Sequence, residues 1–438
     1  MFKSRFFWIA ITLLLIVAGV WFLIEVDRTP PSITLSDEVK FINRKRNLEF
    51  SVEDIKSGLL FIQVSIKQGT DEKNIARFDF PEKGIYRKNL QLDIKPKATG
   101  LKDGKALLII SAGDHSTFFD NETIIKKETI IDTHPPQLEV ESLSHYINMG
   151  GSCLVTYNVS KDASKSGIQV DDLFFRGFSD SPSGAHVAYF TLPWNTPASP
   201  SIVLMAIDDA GNMTKVSFPY SIRKKKFKKE RINISDRFLD RKIPEFTNRY
   251  DNLEGSNLDI YLKINREMRA ENNLKIKAIC SRPHPNRLWK GTFLRMRGSQ
   301  KAEFAAKRTY YYKGKEIDKQ EHLGVDLAAV KRFPVKSANN GIVVFTDYLG
   351  IYGNTVIIDH GQGIFSMYSH LSGFKVKPDM KVKKGAIVGN TGTTGMAGGD
   401  HLHFSILVQG IFVNPKEWWD PHWIKDNIIA KLRPDKSK

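Results

Sequence analysis

The stretch GDHLHF, Gly399–Phe404, places two histidines on either side of one leucine. Residues two apart point in different directions on a helix, but on a β-strand they share one face at a spacing of about 7 Å. His401 and His403 therefore predict a strand that carries two imidazoles on the same face. Such a pair is suited to holding a metal ion, to transferring protons, or to both.

Strand-like runs joined by Gly, Asn and Asp turns precede this pair. They read GIVVFTDY (341–348), NTVIIDHG (354–361) and GIFSMYSHL (363–371). The DHGQG segment at Asp359–Gly363 is typical of a hairpin loop. The pattern predicts an antiparallel sheet that carries the histidines of this region.

Two further motifs lie in the same part of the chain. EHLGVD contains His322 and Asp326, which are four apart and share one face of a helix or a strand, and MYSHLS contains His370. Neutral imidazoles and one carboxylate are the ligands that catalytic Zn²⁺ takes, with water in the remaining position. The three motifs together predict a metal centre on the sheet. We interpret the remaining histidines of this region as surface or core residues: His284, His360 and His422.

The H-x-x-x-D motif at His322–Asp326, the YSHL motif at Tyr368–Leu371 and the H-x-H motif at His401–His403 occur in an order that resembles a known family. They are similar to the lysostaphin-like (LytM-type) zinc peptidases, which cut the peptides of peptidoglycan. The resemblance covers about residues 290–420. It implies a zinc endopeptidase built on an antiparallel β-sheet.

The resemblance also implies roles for individual residues. His322, Asp326 and His403 match the zinc ligands of the family, and His370 and His401 match its two catalytic histidines. Which of the two is the general base stays open. No cofactor other than Zn²⁺ is implied.

Two framework positions depart from the family. Ala305 and Asp379 stand where the family usually has glycine. We expect shifted turns at these positions and an intact ligand set, because neither residue belongs to the three motifs.

The 438-residue chain is long enough for two to four domains, and its net charge of +17 favours an anionic partner. The two cysteines, Cys153 and Cys280, lie far apart, so a disulfide framework and a thiolate zinc site are not expected. The uncharged apolar run Phe6–Ile24 predicts an uncleaved transmembrane anchor, with a cleaved signal peptide as the alternative. Lys3 and Arg5 before the run, with Glu25 and Asp27 after it, predict a cytoplasmic N-terminus.

Two segments of the N-terminal half repeat a pattern. DRTPPSITL at 27–35 and DTHPPQLEV at 132–140 are each followed by an Asp-rich turn, DIKSGL at 54–59 and DASKSGI at 162–168. The repeat and the short alternating runs between these motifs predict two tandem immunoglobulin-like β-sandwiches. We interpret them as spacers rather than ligand-binding modules, because no cluster of aromatic or acidic residues stands out.

A basic segment and two helical patterns follow the repeat. RKKKFKKER at residues 223–231 contains seven basic residues in nine and is either a solvated hinge or a contact for anionic lipid or wall polymer. The helical patterns offer Ser235 or Asp236 and then Ser256 as N-caps, and they predict a hairpin beside the peptidase. Autoinhibition by residues 235–280 is a further hypothesis, because this segment directly precedes the peptidase.

The predicted fold is mainly β: an N-terminal transmembrane helix, two tandem immunoglobulin-like β-sandwiches, a helical hairpin segment and a C-terminal antiparallel β-sheet peptidase domain of lysostaphin-like type. The predicted domains are a tip and anchor (1–27), sandwiches (28–131 and 132–222), a basic linker with helices (223–284) and the peptidase (285–438).

The expected function is hydrolysis of peptidoglycan peptides by a single-pass protein of the cytoplasmic membrane whose catalytic domain lies outside the cytoplasm. The expected partners are peptidoglycan and, through the N-terminal helix, the membrane, without nucleic acid. The alternative is a non-catalytic LytM-type adaptor that activates another wall hydrolase. The bond that is cut, the oligomeric state and the physiological role stay open.

Overall fold

The computed structural model describes residues 2–179, 185–197 and 199–432. The chain forms two compact units, Met1–Pro136 with Ile207–Met213 and Gln137–Ala206 with Thr214–Lys438. Residues 1, 180–184, 198 and 433–438 of the predicted domains lie outside the described residues. Strands dominate both units, which confirms the prediction of a mainly β chain.

The helices are α1 (Phe2–Glu25), α2 (Pro96–Thr99), α3 (Asp236–Thr247), α4 (Asn257–Lys263), α5 (Arg269–Ile279), α6 (Pro415–Trp419), α7 (Pro421–Ile424) and α8 (Ala430–Leu432). Short π-helical turns occupy Ile264–Met268 and Lys425–Ile429, and a 3-10 turn occupies Gly350–Tyr352.

The predicted transmembrane helix is wrong, and so is the fold class in that respect. In the part of the chain that the structure describes, no helix is both long enough and apolar enough to cross a membrane. The flanking charges Lys3, Arg5 and Glu25 lie outside the residues whose side chains are described. Asp27, the fourth flanking charge, is buried and accepts hydrogen bonds from the backbone N–H groups of Thr29 and Ser57.

The first unit holds two sheets around one hydrophobic core, with strand orders β1-β3-β6 and β2-β8-β7-β4-β5. Its strands are β1 (Ser32–Leu35), β2 (Phe41–Ile42), β3 (Arg46–Glu53), β4 (Leu59–Gln68), β5 (Asp71–Asp79), β6 (Arg87–Ile94), β7 (Gly104–Asp114) and β8 (Glu122–Ile131).

Aspartates at several turns have a local structural role. Asp54 of the repeated motif accepts from the N–H groups of Lys56 and Gly58, and Asp114 accepts from the N–H of Ser116. Asp208 accepts in the same way from the backbone N–H of Asn212. In these turns a carboxylate accepts from nearby backbone N–H groups.

The second unit begins with sheets of order β14-β15-β11-β9 and β13-β12-β16-β17 and a parallel pair of β10 with β18. These strands are β9 (Leu138–Val140), β10 (Tyr146–Asn148), β11 (Ser152–Val159), β12 (Ala163–Val170), β13 (Leu173–Arg176), β14 (Phe178–Ser179), β15 (His186–Thr191), β16 (Ile202–Asp208), β17 (Met213–Val216) and β18 (Ser221–Arg223).

The C-terminal region is built on a ten-stranded sheet whose central order is β20-β23-β30-β27-β26-β25-β28. Beside it lies a three-stranded sheet, β19-β21-β22, in which β19 pairs parallel to β21. The strands are β19 (Lys229–Ile234), β20 (Ser299–Ala302), β21 (Ala306–Tyr312), β22 (Lys315–His322), β23 (Val325–Ala328), β24 (Pro334–Lys336), β25 (Gly341–Tyr348), β26 (Asn354–Asp359), β27 (Ile364–Phe374), β28 (Lys381–Val382), β29 (Ile387–Thr391), β30 (Leu402–Val408) and β31 (Ile411–Val413).

The segment before this sheet begins as a strand and continues as helices. Part of the basic run 223–231 belongs to β19. The predicted helix starts are confirmed, because Ser235 caps α3 and Ser256 caps α4 in a capping box with Asp259. The helices share a hydrophobic core with the ten-stranded sheet.

Helix α6 joins the sheets formed by strands β9–β18 to the ten-stranded sheet. Trp418 of α6 is fully buried and lies 6.4 Å from Tyr189 and 5.5 Å from Trp289, measured between ring centroids. Its neighbour Glu417 is buried as well and accepts from the Asn148 amide at 2.7 Å and from the Ser152 N–H at 2.8 Å. One continuous core therefore runs through these parts of the second unit.

Candidate active site

Strand register brings two of the predicted ligands face to face. Asp326 on β23 pairs directly with His403 on β30, and Ser369 on β27 pairs with His403 from the other side. His322 is the last residue of β22, and the short Leu323–Gly324 link returns the chain to β23. The alternation of β30 places His401 and His403 on one face and turns Leu402 away into the core.

The three predicted ligands converge. Nε2 of His322 lies 2.9 Å from Oδ1 of Asp326 and 2.9 Å from Nδ1 of His403. Nδ1 of His403 in turn lies 3.0 Å from Oδ1 of Asp326. All three residues are buried. Two imidazole nitrogens and one carboxylate oxygen pointing at one position fit a Zn²⁺ site that keeps a fourth position for water or substrate.

A glycine makes this convergence possible. A Cβ atom on Gly324 would lie 2.5 Å from Nε2 of His403 and 2.7 Å from the Ser405 hydroxyl. The hydroxyl also lies 3.2 Å from His403 Nε2, so the ring nitrogen that faces away from the site has a partner. Nδ1 of His322 is likewise 3.0 Å from the Glu303 carbonyl. Such outer contacts fix the orientation of ligand rings.

His370 reaches the site through an irregularity of β27. The pairing of β27 with β26 skips between Val356 and Asn354, and His370 falls in this bulge with a left-handed backbone, φ 61°. Bulges re-aim side chains, and a non-glycine residue with positive φ is strained. The imidazole of His370 lies 4.9 Å from that of His401 and 5.8 Å from that of His403, measured between centroids.

Backbone carbonyls orient the two predicted catalytic histidines in the same way. Nδ1 of His370 lies 2.8 Å from the Thr394 carbonyl, and Nδ1 of His401 lies 2.8 Å from the Gly399 carbonyl. A carbonyl only accepts, so both Nδ1 atoms carry a proton, and Nε2 has a lone pair when the ring is neutral. Nε2 of His401 lies 3.5 Å from Oδ1 of Asp326, so it faces the ligand cluster.

Burial and charge set the protonation states of the cluster. Burial lowers the pKa of His403 to about 4, and burial together with the other histidines lowers the pKa of His370 well below its usual range. Burial by itself would raise the pKa of Asp326, but the neighbouring imidazoles hold it well below its usual range. The Asp326 carboxylate is therefore charged near pH 7, and the imidazoles of His370 and His403 are neutral. This is the state that ligands and bases require.

Arg308 and Glu230 support the site from the adjacent sheet, and the sequence did not point to this pair. The Arg308 guanidinium lies 3.4 Å from Oδ2 of Asp326 and 3.0 Å from Glu230, its direct partner in the parallel pairing of β19 and β21. Neither residue belongs to the three motifs, and Glu230 lies inside the basic run.

A cavity of about 330 Å³ opens in front of the cluster. All five predicted site residues line it: His322, Asp326, His370, His401 and His403. Residues of β19, α3, α4, the following π-turn and α5 also line it: Ile232, Asn233, Ile234, Phe238, Tyr261, Asn265 and Arg269. His360 lies elsewhere, buried and bonded through both ring nitrogens to Asn340 and Ser366.

The two departures from the family framework keep the backbone that glycine would favour. Ala305 has φ 56° and Asp379 has φ 68°. Each non-glycine residue therefore adopts a left-handed conformation, and the expected shift of the turns stays a prediction.

Comparison with known proteins identifies the domain that carries the site. Residues 320–415 match the sequence profile of peptidase family M23. Over 94 residues the chain is 38% identical to the DD-carboxypeptidase/endopeptidase Mpg of Neisseria meningitidis serogroup B, covering 22% of each chain. Over 93 residues it is 40% identical to the peptidoglycan DD-endopeptidase ShyA of Vibrio cholerae, covering 21% of this chain and 22% of that one.

Two further similarities are of about the same extent. The murein hydrolase activator EnvC of Escherichia coli is 33% identical over 95 residues, 22% of this chain and 23% of that one. The solved catalytic domain of lysostaphin from Staphylococcus simulans is 31% identical, with a TM-score of 0.21 over 22% of this chain and 77% of that one. The chain spans about a fifth of the length of the curated relatives it matches. The family resemblance predicted from the three motifs is confirmed for this segment.

Proposed function

Because residues 320–415 form a domain of peptidase family M23, we propose that the protein is a zinc endopeptidase that hydrolyses peptide bonds in peptidoglycan. The observation that carries the proposal is the convergence of His322, Asp326 and His403 at a cavity that two more histidines line. The activities in the names of Mpg and ShyA support the choice of substrate.

The donor set favours zinc over other ions. Imidazole nitrogens with one carboxylate suit Zn²⁺, whereas Ca²⁺ and Mg²⁺ prefer sites made of oxygen atoms. His322, Asp326 and His403 would hold the ion, and Arg308 contacts Oδ2 of Asp326 from the adjacent sheet. A bound Zn²⁺ supplies Lewis-acid activation of water near neutral pH.

The two remaining histidines supply proton transfer. In the neutral ring, Nε2 of His370 or of His401 presents a lone pair, because Nδ1 of each ring donates to a backbone carbonyl. Either ring can take a proton at Nε2 from the attacking water, and the protonated ring can then donate to the oxyanion or to the leaving amine. Residues of β19 and of the α3–α5 segment also line the cavity beside these rings.

The competing function is a non-catalytic adaptor, as the name of EnvC, a murein hydrolase activator, suggests for one relative. An adaptor needs neither ligands nor bases, whereas this chain has three predicted ligands and two further histidines around one cavity. The complete set favours catalysis.

As peptidoglycan lies outside the cytoplasm, we also propose that the peptidase domain acts there. A protease-protection assay on intact cells tests this location.

Digestion of purified sacculi tests the proposed activity. The zinc-loaded protein should release soluble muropeptides, and a chelator should stop the release until zinc is restored. Mass spectrometry of the products identifies the bond that is cut. Unchanged muropeptide profiles with zinc-loaded protein, across sacculi of different chemotypes, would reject the proposal.

Two single substitutions separate metal binding from proton transfer. His403→Ala removes a ligand and should abolish stoichiometric zinc, whereas His401→Ala should keep the zinc and lose activity by about 100-fold or more. Zinc content by atomic absorption and turnover of sacculi are measured on both variants. Loss of zinc in His401→Ala, or full activity in that variant, contradicts the assigned roles.

A further inference from the structure

Two arginines line the cavity, and they differ in their partners. Arg308 forms ion pairs with two carboxylates, Glu230 at 3.0 Å and Asp326 at 3.4 Å. Arg269, the first residue of α5, bonds only within its own helical turn, from Nε to the Asn265 carbonyl at 3.0 Å and from Nη2 to the Asn265 amide oxygen. No described carboxylate lies within ion-pair distance of Arg269.

An unpaired guanidinium in this place is costly unless something compensates it. Arg269 is half-buried beside the cavity and has lost part of its hydration. Its charge acts on Tyr352, whose pKa burial raises to about 12 while the guanidinium opposes the rise. Tyr352 lies 5.5 Å from His403 between ring centroids, so this charge faces the same space as the ligand cluster.

The structure points to a carboxylate-binding subsite at Arg269, and we propose that it selects peptide substrates with a free carboxylate near the scissile bond. The inference rests on the proposed peptidase function. A guanidinium presents a planar fork that matches a carboxylate with two parallel hydrogen bonds. Asn265 accepts from Nε and from one N–H of Nη2, so the fork left for this contact is an N–H of Nη1 with the second N–H of Nη2.

The subsite lies outside the segment that matches the family. Residues 320–415 supply the ligands and the catalytic histidines, whereas Arg269 comes from the helical segment before them. Asn233 and Tyr310 add polar groups to the same side of the cavity. The helical segment therefore gives this chain a substrate preference that its catalytic residues do not determine.

A matched pair of muropeptides tests the subsite, one with its carboxylates free and one with them converted to carboxamides. The zinc-loaded full-length protein should cleave the free form with a kcat/KM about 10- to 100-fold higher, mainly through a lower KM. Arg269→Gln should cleave both forms equally, and Arg269→Lys should keep part of the preference.

Arg266 provides the control on the same segment. It pairs with Asp318 at 3.0 Å and does not line the cavity. Arg266→Gln should keep the full preference, and circular dichroism melting should show that all variants are folded. If Arg269→Gln prefers the free carboxylate as strongly as the wild type does, or if the wild type has no preference, the subsite is rejected.

A binding measurement separates this inference from the proposed function. In the His401→Ala background, calorimetric titration with each muropeptide should give a Kd ratio of about 10 to 100 that disappears when Arg269→Gln is added. If the zinc-loaded wild type leaves sacculi intact while this Kd ratio is observed, the peptidase function is rejected and the subsite is retained. Equal affinities in the His401→Ala background would reject the subsite whatever the turnover.

Discussion

At the scale of single residues, left-handed backbone recurs at positions with different purposes. His370 takes φ 61° in the bulge that aims its ring at the cavity, so its strain accompanies a functional orientation. Asp379 takes φ 68° in an exposed turn far along the chain from any predicted ligand, and its N–H bonds to the Val343 carbonyl. Only the first of these residues has a reason in the chemistry to avoid glycine.

Asp379→Gly should therefore stabilise the protein. Glycine adopts positive φ without the Cβ clash, and we expect a gain of about 0.5–1 kcal/mol in the free energy of unfolding. Urea denaturation measures the change, with Asp379→Ala as the strained comparison. A glycine variant no more stable than the wild type would contradict this assignment of strain.

At Ala305, which has the same left-handed backbone, we expect glycine to bring no such gain in stability. Its φ of 56° also favours glycine, but its methyl group is fully buried in the core that joins helices and sheet. Removing a buried methyl costs about 0.8 kcal/mol, which offsets the relief of strain. Positive φ alone is thus a poor guide to stabilising substitutions.

At the scale of elements, α3 holds the loop that leads into the H-x-H motif. Glu245 accepts from the Gly395 N–H at 2.7 Å, and the buried Lys242 ammonium donates to the Thr393 carbonyl. The two side chains pair with each other at 3.1 Å. The loop ends at His401, so these contacts fix the segment that carries a predicted catalytic ring.

Glu245→Ala distinguishes support of the loop from inhibition by the helices. If α3 positions the loop, activity on sacculi should fall between about 10- and 100-fold with zinc content unchanged, since small displacements of catalytic groups are costly. Glu254→Ala, an exposed residue of the same segment, should have no effect. A rise in activity of Glu245→Ala would instead support the autoinhibition hypothesis.

The sequence predicts those parts of the site that depend on local geometry. The spacing of His401 and His403 gives their shared face, and the Ser235 and Ser256 caps mark the helix starts, because these features involve residues a few positions apart. The contact of Arg308 with Glu230 joins residues 78 apart through parallel strands. No local pattern encodes that pairing, and none encodes the placement of Arg269 in the same cavity as the ligands.

At the scale of the whole molecule, a buried carboxyl links helix α6 to strands β10 and β11 of the same unit. Glu417 has the Asn148 amide and the Ser152 N–H as partners, and burial raises its pKa from 4.5 to about 7. The folded state therefore favours the protonated carboxyl. The stability that this carboxyl contributes is greatest below pH 4.5 and is lost as the pH rises towards 7.

Glu417→Gln removes this titration and keeps one acceptor and a rotatable amide for the same partners. The stability of the wild type relative to this variant should fall by about 3 kcal/mol between pH 4.5 and 7. Urea denaturation of both proteins at each pH measures the difference, in which the other titrating groups cancel. A difference that does not vary with pH would show that Glu417 is not the responsible group.

The parallel pairing of β19 with β21 limits how the sheet that carries the candidate site can be transferred between proteins. A fragment that starts at residue 285 lacks β19 and leaves the Tyr-rich strand Ala306–Tyr312 as an open sheet edge. Such edges recruit other chains and promote aggregation. A recombination event or a protein engineer that moves this chemistry into another protein must therefore carry the chain from about residue 229 onward, including the helices that complete the cavity.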